Sequence, residues 1–145
     1  MSIDSMYAFI EGLIEKTKQQ QLEWKPLFSL SIWDEIKQEL ETENQTIDFG
    51  FNTIRVSNSY YLKSGKGYIF LFEIYHGLPE ITSPEMDTVA LMAKINDYLP
   101  IDNLTSFTEE EQEQLRTLQI LIANNVDKDY SYQNLLNSFL ADVLK

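Results

Sequence analysis

The sequence predicts an α+β domain, with an antiparallel sheet of three to four strands around a central hairpin and helices flanking it from both ends of the chain. Three observations carry this. Apolar residues recur at helical spacing at the start of the chain and again twice at its end. Between these stretches lies a run rich in β-branched and aromatic residues, split by a glycine turn. The charge follows the same division: residues 1–50 carry ten acidic and four basic side chains, residues 51–80 two and three, and residues 81–145 eleven and four, so the segments contribute −6, +1 and −7 to the formal −12.

With Asp4 or Ser5 as cap, Met6, Phe9, Ile10, Leu13, Ile14 and Thr17 recur at three- and four-residue steps, which predicts an amphipathic helix over residues 4–20. Trp24-Lys25-Pro26 ends it, because proline restricts the residue before it. Phe28, Leu30 and Ile32 alternate with serines, the period of a short strand over 27–31. Ser31 and Asp34 resemble a capping box opening a helix that runs to about Glu43, and Ile32 fits either element.

Asn52–Lys63 and Tyr68–His76 flank Ser64-Gly65-Lys66-Gly67 and read as the two strands of the hairpin. Tyr68, Phe70, Phe72 and Ile74 share one face of the second strand. Ile69, Leu71 and Tyr75 share the other, where Glu73 alone is polar. Apolar residues on both faces predict an inner strand covered on both sides. Gly77, Pro79 and Pro84 mark a loop, and Val89 to Ile95 alternate as a further strand. Thr108 to Glu111 form a capping box that places glutamates at the positive end of a helix with a Leu115, Leu118, Leu121, Ile122 stripe. Asn124-Asn125 suits its left-handed end. Ser131 then caps a last helix, with Tyr132, Leu135, Leu136, Phe139, Leu140 and Val143 expected to face inward.

A chain of 145 residues without linker, repeat or low-complexity tract suits one domain, 1–145. It has no cysteine, which excludes disulfides, thiolate metal sites and cysteine nucleophiles. There is no run of eighteen apolar residues and no basic start followed by an apolar stretch, so the expectation is a cytoplasmic protein without a membrane span. A charge of −12 disfavours nucleic acid, whose affinity for proteins comes largely from lysine and arginine. It serves solubility and can steer a basic protein partner.

Motifs that could carry chemistry are few. His76, the only histidine, is a weak candidate general base at the end of the hairpin's second strand, with no nucleophile motif to accompany it. Asp127-Lys128-Asp129 opens like a calcium loop, but Tyr132 and Ser138 stand where that loop needs glycine and glutamate. Gly65-Lys66 lacks the remainder of a phosphate loop. Lys66, Gly67, Tyr68 and Phe70 match the RNA-recognition signature, yet Ile69 and Glu73 break it and the element order differs. No cofactor or metal site is expected. Tyr60, Tyr61, Tyr68 and Tyr75, with Lys63 and Lys66 near the turn, form a candidate interaction face, since tyrosine suits interfaces as well as cores.

Phe9-Ile10 and Leu13-Ile14 with Thr17, Leu22 and Trp24, then Ser59-Tyr60-Tyr61 to Gly67-Tyr68-Ile69-Phe70-Leu71, then Leu135-Leu136 with Phe139-Leu140 give the chain a pattern that resembles a loose set of small acidic bacterial proteins, some linked to phages or mobile elements. The resemblance implies a stand-alone domain and brings no catalytic residues. Together these features lead to the expectation of a non-enzymatic acidic interaction or regulatory domain, antitoxin-like in kind, whose partner is a basic protein or a second copy of the chain. The alternatives are a small hydrolase using His76 with a nearby carboxylate, and a small-ligand binder with an apolar pocket between sheet and helices.

Overall fold

A computed structural model describes residues 6–43, 52–76, 87–130 and 132–145; the side chains of residues 43, 52–53, 76, 127–130 and 132–134 lie outside the description. The elements run α1 (Met6–Lys18), β1 (Lys25–Pro26), a 3-10 turn (Leu27–Ser29), α2 (Trp33–Glu43), β2 (Asn52–Ile54), a second 3-10 turn (Val56–Asn58), β3 (Tyr60–Ser64), β4 (Gly67–His76), β5 (Thr88–Lys94), β6 (Asp102–Asn103), α3 (Glu109–Tyr130) and α4 (Tyr132–Val143).

The fold is α+β and its sheet is antiparallel throughout the described residues. Across the sheet the order is β1-β3-β4-β5-β6, and β2 pairs with the far end of the same β4 edge that holds β3. The sheet is thus five positions wide rather than three or four. β1 and β6 are two residues each, too short for alternation to reveal them.

β4 is the inner strand that its sequence predicts. Tyr68, Phe70, Phe72 and Ile74 join Tyr61, Ala90, Met92, Ile36 and Leu40 in a core beneath α2. Leu71 joins Leu62, Val89, Leu91, Ile10, Leu13, Ile14, Leu115, Leu118 and Ile122 in a second core beneath α1 and α3. Phe70, Leu71, Phe72 and Ile74 are fully buried. The hairpin turns on Gly65, whose φ of 59° lies in the left-handed region. Gly67 is required for a different reason: a Cβ there would collide with the carbonyls of Lys94 and Ile95.

The segment at 27–31 is not a strand. Leu27 is buried, Phe28 exposed and Leu30 buried again, the period of a tight turn, which Ser29 closes by donating its Oγ hydrogen bond to the Pro26 carbonyl at 2.8 Å. α2 begins at Trp33, with the Ile36 N–H donating to the Ile32 carbonyl, so Ser31 lies outside the helix and Ile32 at its edge. The hairpin's first strand is also divided. Arg55 to Ser59 bulge away from β4 between β2 and β3, opposite Phe72 and Glu73.

α1 covers residues 6–18 of the predicted 4–20, and its proposed caps lie outside the described residues. Its end is a Schellman turn: Gln21 N–H donates to Lys16 O, Gln20 N–H donates to Thr17 O, and Gln20 itself has φ of 58°. Glycine tolerates that conformation better than glutamine. We therefore expect Gln20→Gly to raise stability by about 0.5 kcal/mol despite its looser unfolded state; a lower midpoint in urea denaturation would contradict the assigned turn.

α3 opens with the Thr108 half of the expected capping box, while the Glu111 side chain binds the residues before the cap rather than the cap's own N–H. The Glu111 N–H donates to Thr108 Oγ1 at 3.2 Å, and the Glu111 carboxylate accepts from the N–H groups of Ser106 and Phe107, at 2.8 Å each. The helix does not stop at Asn124-Asn125. Val126 extends the buried stripe by one turn, and the Asn125 amide donates to the Thr17 carbonyl instead of ending the helix. α3 also protects the sheet: Gln112 lays its amide along Val89, donating to its carbonyl and accepting from its N–H at 2.8 Å each, as a neighbouring strand would.

Candidate interaction surface

The hairpin does not present the tyrosine face expected of it. Tyr60 is 6% exposed and packs beneath α1 and α3, while Tyr61 is 8% exposed and packs beneath α2. Successive residues of a strand point to opposite sides of the sheet, so the two cannot share a surface. Tyr68 is half-buried in a row of rings: it meets Tyr61 edge-on with centroids 6.1 Å apart and stacks on Phe70 at 5.7 Å, and Phe70 stacks on Phe72 at 5.2 Å. This row gives cohesion to the α2-side core. Lys63 and Lys66 are exposed, with the Lys63 ammonium 5.8 Å from the Tyr68 ring centre. Tyr75 is half-buried, and the Arg55 guanidinium lies 3.9 Å above its ring. The His76 backbone pairs with Asn52 at the end of β4, and its side chain lies outside the described residues.

The densest polar chemistry lies where the bulge, β4, the start of β5 and α3 meet. Glu73 points toward α3 from the second core. Its carboxylate accepts from Asn58 Nδ2 at 2.7 Å and Gln119 Nε2 at 3.1 Å, with Arg116 at 3.7 Å and Arg55 at 3.8 Å. Arg55 donates through Nε to Asp87 Oδ2 at 2.6 Å, and Arg116 donates to the Asp87 carbonyl. The bulge is pinned to the strand by the Arg55 N–H donating to Glu73 O at 2.7 Å and by the Glu73 N–H donating to Ser59 Oγ at 3.0 Å. Two carboxylates thus offset two guanidiniums, and among the described residues only Asp87 Oδ1 is buried without a hydrogen-bond partner.

The Asp87 hydrogen bond raises the Arg55 guanidinium above its ordinary value, with burial acting against it and the charges of Asp87 and Glu73 adding to the rise. Stability from a raised basic group is fully present below its unfolded value and is lost only as pH climbs through the folded one. The cation therefore stays in place through the neutral and mildly alkaline range. The Ser59 hydroxyl in this group is engaged on both sides, donating to the Arg55 carbonyl at 2.8 Å and accepting from the Glu73 N–H, and the remaining side chains are amides, carboxylates and guanidiniums that position and clamp one another. The sequence does mark Glu73, the one polar residue on an otherwise apolar strand. It does not mark Asp87, Arg55 or Gln119 as its neighbours.

A second, partly buried pair fixes the loop after β5. Lys94 Nζ donates to Glu39 Oε1 at 2.8 Å and to the Leu99 carbonyl at 2.7 Å, while Glu39 Oε2 accepts from the Ile101 N–H. A cleft of about 380 Å³ lies elsewhere, beside the starts of α1 and α3, with Tyr7, Leu104, Thr105, Glu110 and Gln114 among its walls. It sits at the margin of the second core, where the edge strand β6 at Asn103 meets α1 and α3. Among the described residues no helix is long and apolar enough to cross a membrane.

α4 departs most from its predicted role. Its apolar residues do not face inward: Leu135 is 40% exposed, Phe139 62%, Leu140 49% and Val143 63%, while Leu136 is half-buried and Tyr132 lies among the undescribed side chains. The helix is amphipathic by sequence, with apolar residues at 135, 136, 139, 140 and 143, but among the elements its main neighbour is α3. Helical spacing shows that a stripe exists and cannot show whether this chain covers it. Comparison with protein-family models, curated proteins and solved structures finds no match for this chain.

Proposed function

We propose that this chain is a non-enzymatic interaction domain with a regulatory role, and that its contact surface is the apolar stripe of α4. One observation carries the reading: Leu135, Phe139, Leu140 and Val143 lie in water together on one helix. Contiguous apolar patches of this kind are uncommon on soluble proteins and mark contact sites. The hairpin rings belong to the cores, so they support the fold and leave recognition to α4.

A double variant, Phe139→Asp with Leu140→Asp, tests this. Both side chains are about half exposed, so thermal stability should change by no more than about 0.5 kcal/mol. Immobilised wild type is expected to retain a protein, from a lysate of the source cell or from untagged copies of itself, that the double variant loses. Equal retention by the two would contradict the assignment of α4.

A further inference from the structure

We propose that the cleft beside the starts of α1 and α3 binds a small aliphatic diamine, its two ammonium groups answered by Glu110 and Glu11 and its alkane stem laid against Met6, Tyr7 and Leu104. The cleft opens at the start of α3, whereas α4 follows the end of that helix, so it is a separate surface. Its volume of about 380 Å³ falls within the roughly 300–1,000 Å³ of small-molecule sites. The donors and acceptors on its walls decide the class of ligand. The N–H groups of Ser106 and Phe107, which could have held an anion, donate to the Glu111 carboxylate at 2.8 Å each, and the Ser106 hydroxyl donates to it at 3.2 Å. Glu111 thereby also answers the positive end of α3. Glu110 is left over: it is exposed, lines the cleft and has no hydrogen bond or ion pair to its carboxylate among the described residues. No basic side chain lines the cleft among those residues either, so a cation is the ligand its charge admits.

A second carboxylate stands beside the cleft on the other helix. Gln114, one turn after Glu110, donates to Glu11 Oε1 at 2.9 Å and to the Tyr7 carbonyl at 3.3 Å, which ties exposed Glu11 to a wall residue and leaves its Oε2 for a cation. The apolar walls choose among cations. A hard metal ion asks for oxygen ligands on all sides, and Met6, Tyr7 and Leu104 offer it none from their side chains but one phenol. A linear alkane with an ammonium at each end uses both kinds of wall: methylenes cover Met6 and Leu104, the heads reach Glu110 and Glu11, and the Tyr7 ring, 54% exposed, can take either. The net charge of −12 raises the local concentration of such cations. Exposed ion pairs are individually weak, so dissociation is expected on the order of 0.1–1 mM.

Isothermal titration calorimetry of the full chain with the diamine putrescine, at low salt so that screening does not mask the ion pairs, tests the inference. Wild type is expected to give a saturable one-to-one heat. Glu110→Gln, Glu11→Gln and Tyr7→Leu, each with unchanged circular dichroism, are expected to weaken it by about three- to fivefold. Glu41→Gln removes the same charge from an exposed position on α2 and is expected to leave binding unchanged. Butanediol, of equal length and uncharged, is expected to give no heat. Nα-acetyl-lysine amide, which carries the single ammonium a basic protein would present, is expected to bind about three- to fivefold more weakly than the diamine. Absence of a saturable heat overturns the inference, as does binding that Glu110→Gln and Glu11→Gln leave intact. A loss with Glu41→Gln equal to that with Glu110→Gln overturns it by reducing the effect to counterions around an acidic chain. Equal binding of butanediol would leave a merely apolar cleft, and equal binding of the lysine amide would assign it to a protein side chain; either result overturns the diamine.

Discussion

Phe70→Ala is expected to cost about 3–5 kcal/mol of stability, with a fall in melting temperature on the order of 10 °C. Phe70 has no exposed surface, stacks between Tyr68 and Phe72, and lies on the strand that separates the two cores. The cavity left by its ring has Ile36, Leu40 or Met92 to fill it only if α2 or β5 moves, and interiors at crystal-like density relax only in part. Leu71→Ala, on the opposite face and equally buried, is expected to cost about 2–5 kcal/mol. Chemical denaturation of both variants checks the pair. Losses at both sites are the signature of a strand covered above and below, whereas near-neutral values at either would leave one face of the sheet bare.

Glu73→Ala is expected to cost as much, about 3–5 kcal/mol, for a different reason. The carboxylate accepts hydrogen bonds from Asn58 and Gln119 and ion-pairs with Arg116 at 3.7 Å and Arg55 at 3.8 Å, so its removal takes the acceptor from the Asn58 amide and leaves two guanidiniums facing one carboxylate beside a core. Glu73→Gln keeps the volume but is expected to recover little, because its amide turns a donor toward the donors already present. Exposed Glu110 provides the contrast: Glu110→Ala should cost under about 1 kcal/mol. A Glu73→Ala loss no larger than that of Glu110→Ala, measured in the same urea titrations, would show that the polar cluster does not hold the bulge to α3.

Much of the fold was legible because short-range rules govern it. The alternation along β4, the glycine turn at Gly65 and Gly67, the Thr108 cap of α3 and the stripe of α1 each depend on neighbours in sequence, and each stands where its pattern points. What escaped depends on residues far apart. β1 exists because Lys25 and Pro26 meet Tyr61 and Tyr60, thirty-four and more residues away, and no two-residue pattern announces that. The bulge at 55–59 interrupts a stretch whose composition is all strand, since Ser59 and Arg55 satisfy Glu73 in place of a ladder. Asn125 looked like a helix end because its tie to Thr17 could not be seen. The tyrosines were equally ambiguous: ring content shows that Tyr60 and Tyr61 bury area somewhere, and only the register shows that they do so in two different cores. For α4, periodicity identified the stripe and could not identify its cover.

The central claim is that cohesion resides in the two cores about β4 while α4 holds its apolar side outward for a partner. Amide hydrogen exchange followed by mass spectrometry, run on dilute protein, tests it most directly. The account predicts that β4 amides exchange slowly, near the limit set by global unfolding, while α4 amides exchange rapidly. Protection of α4 equal to that of β4 would contradict it, because the chain would then be covering that helix itself.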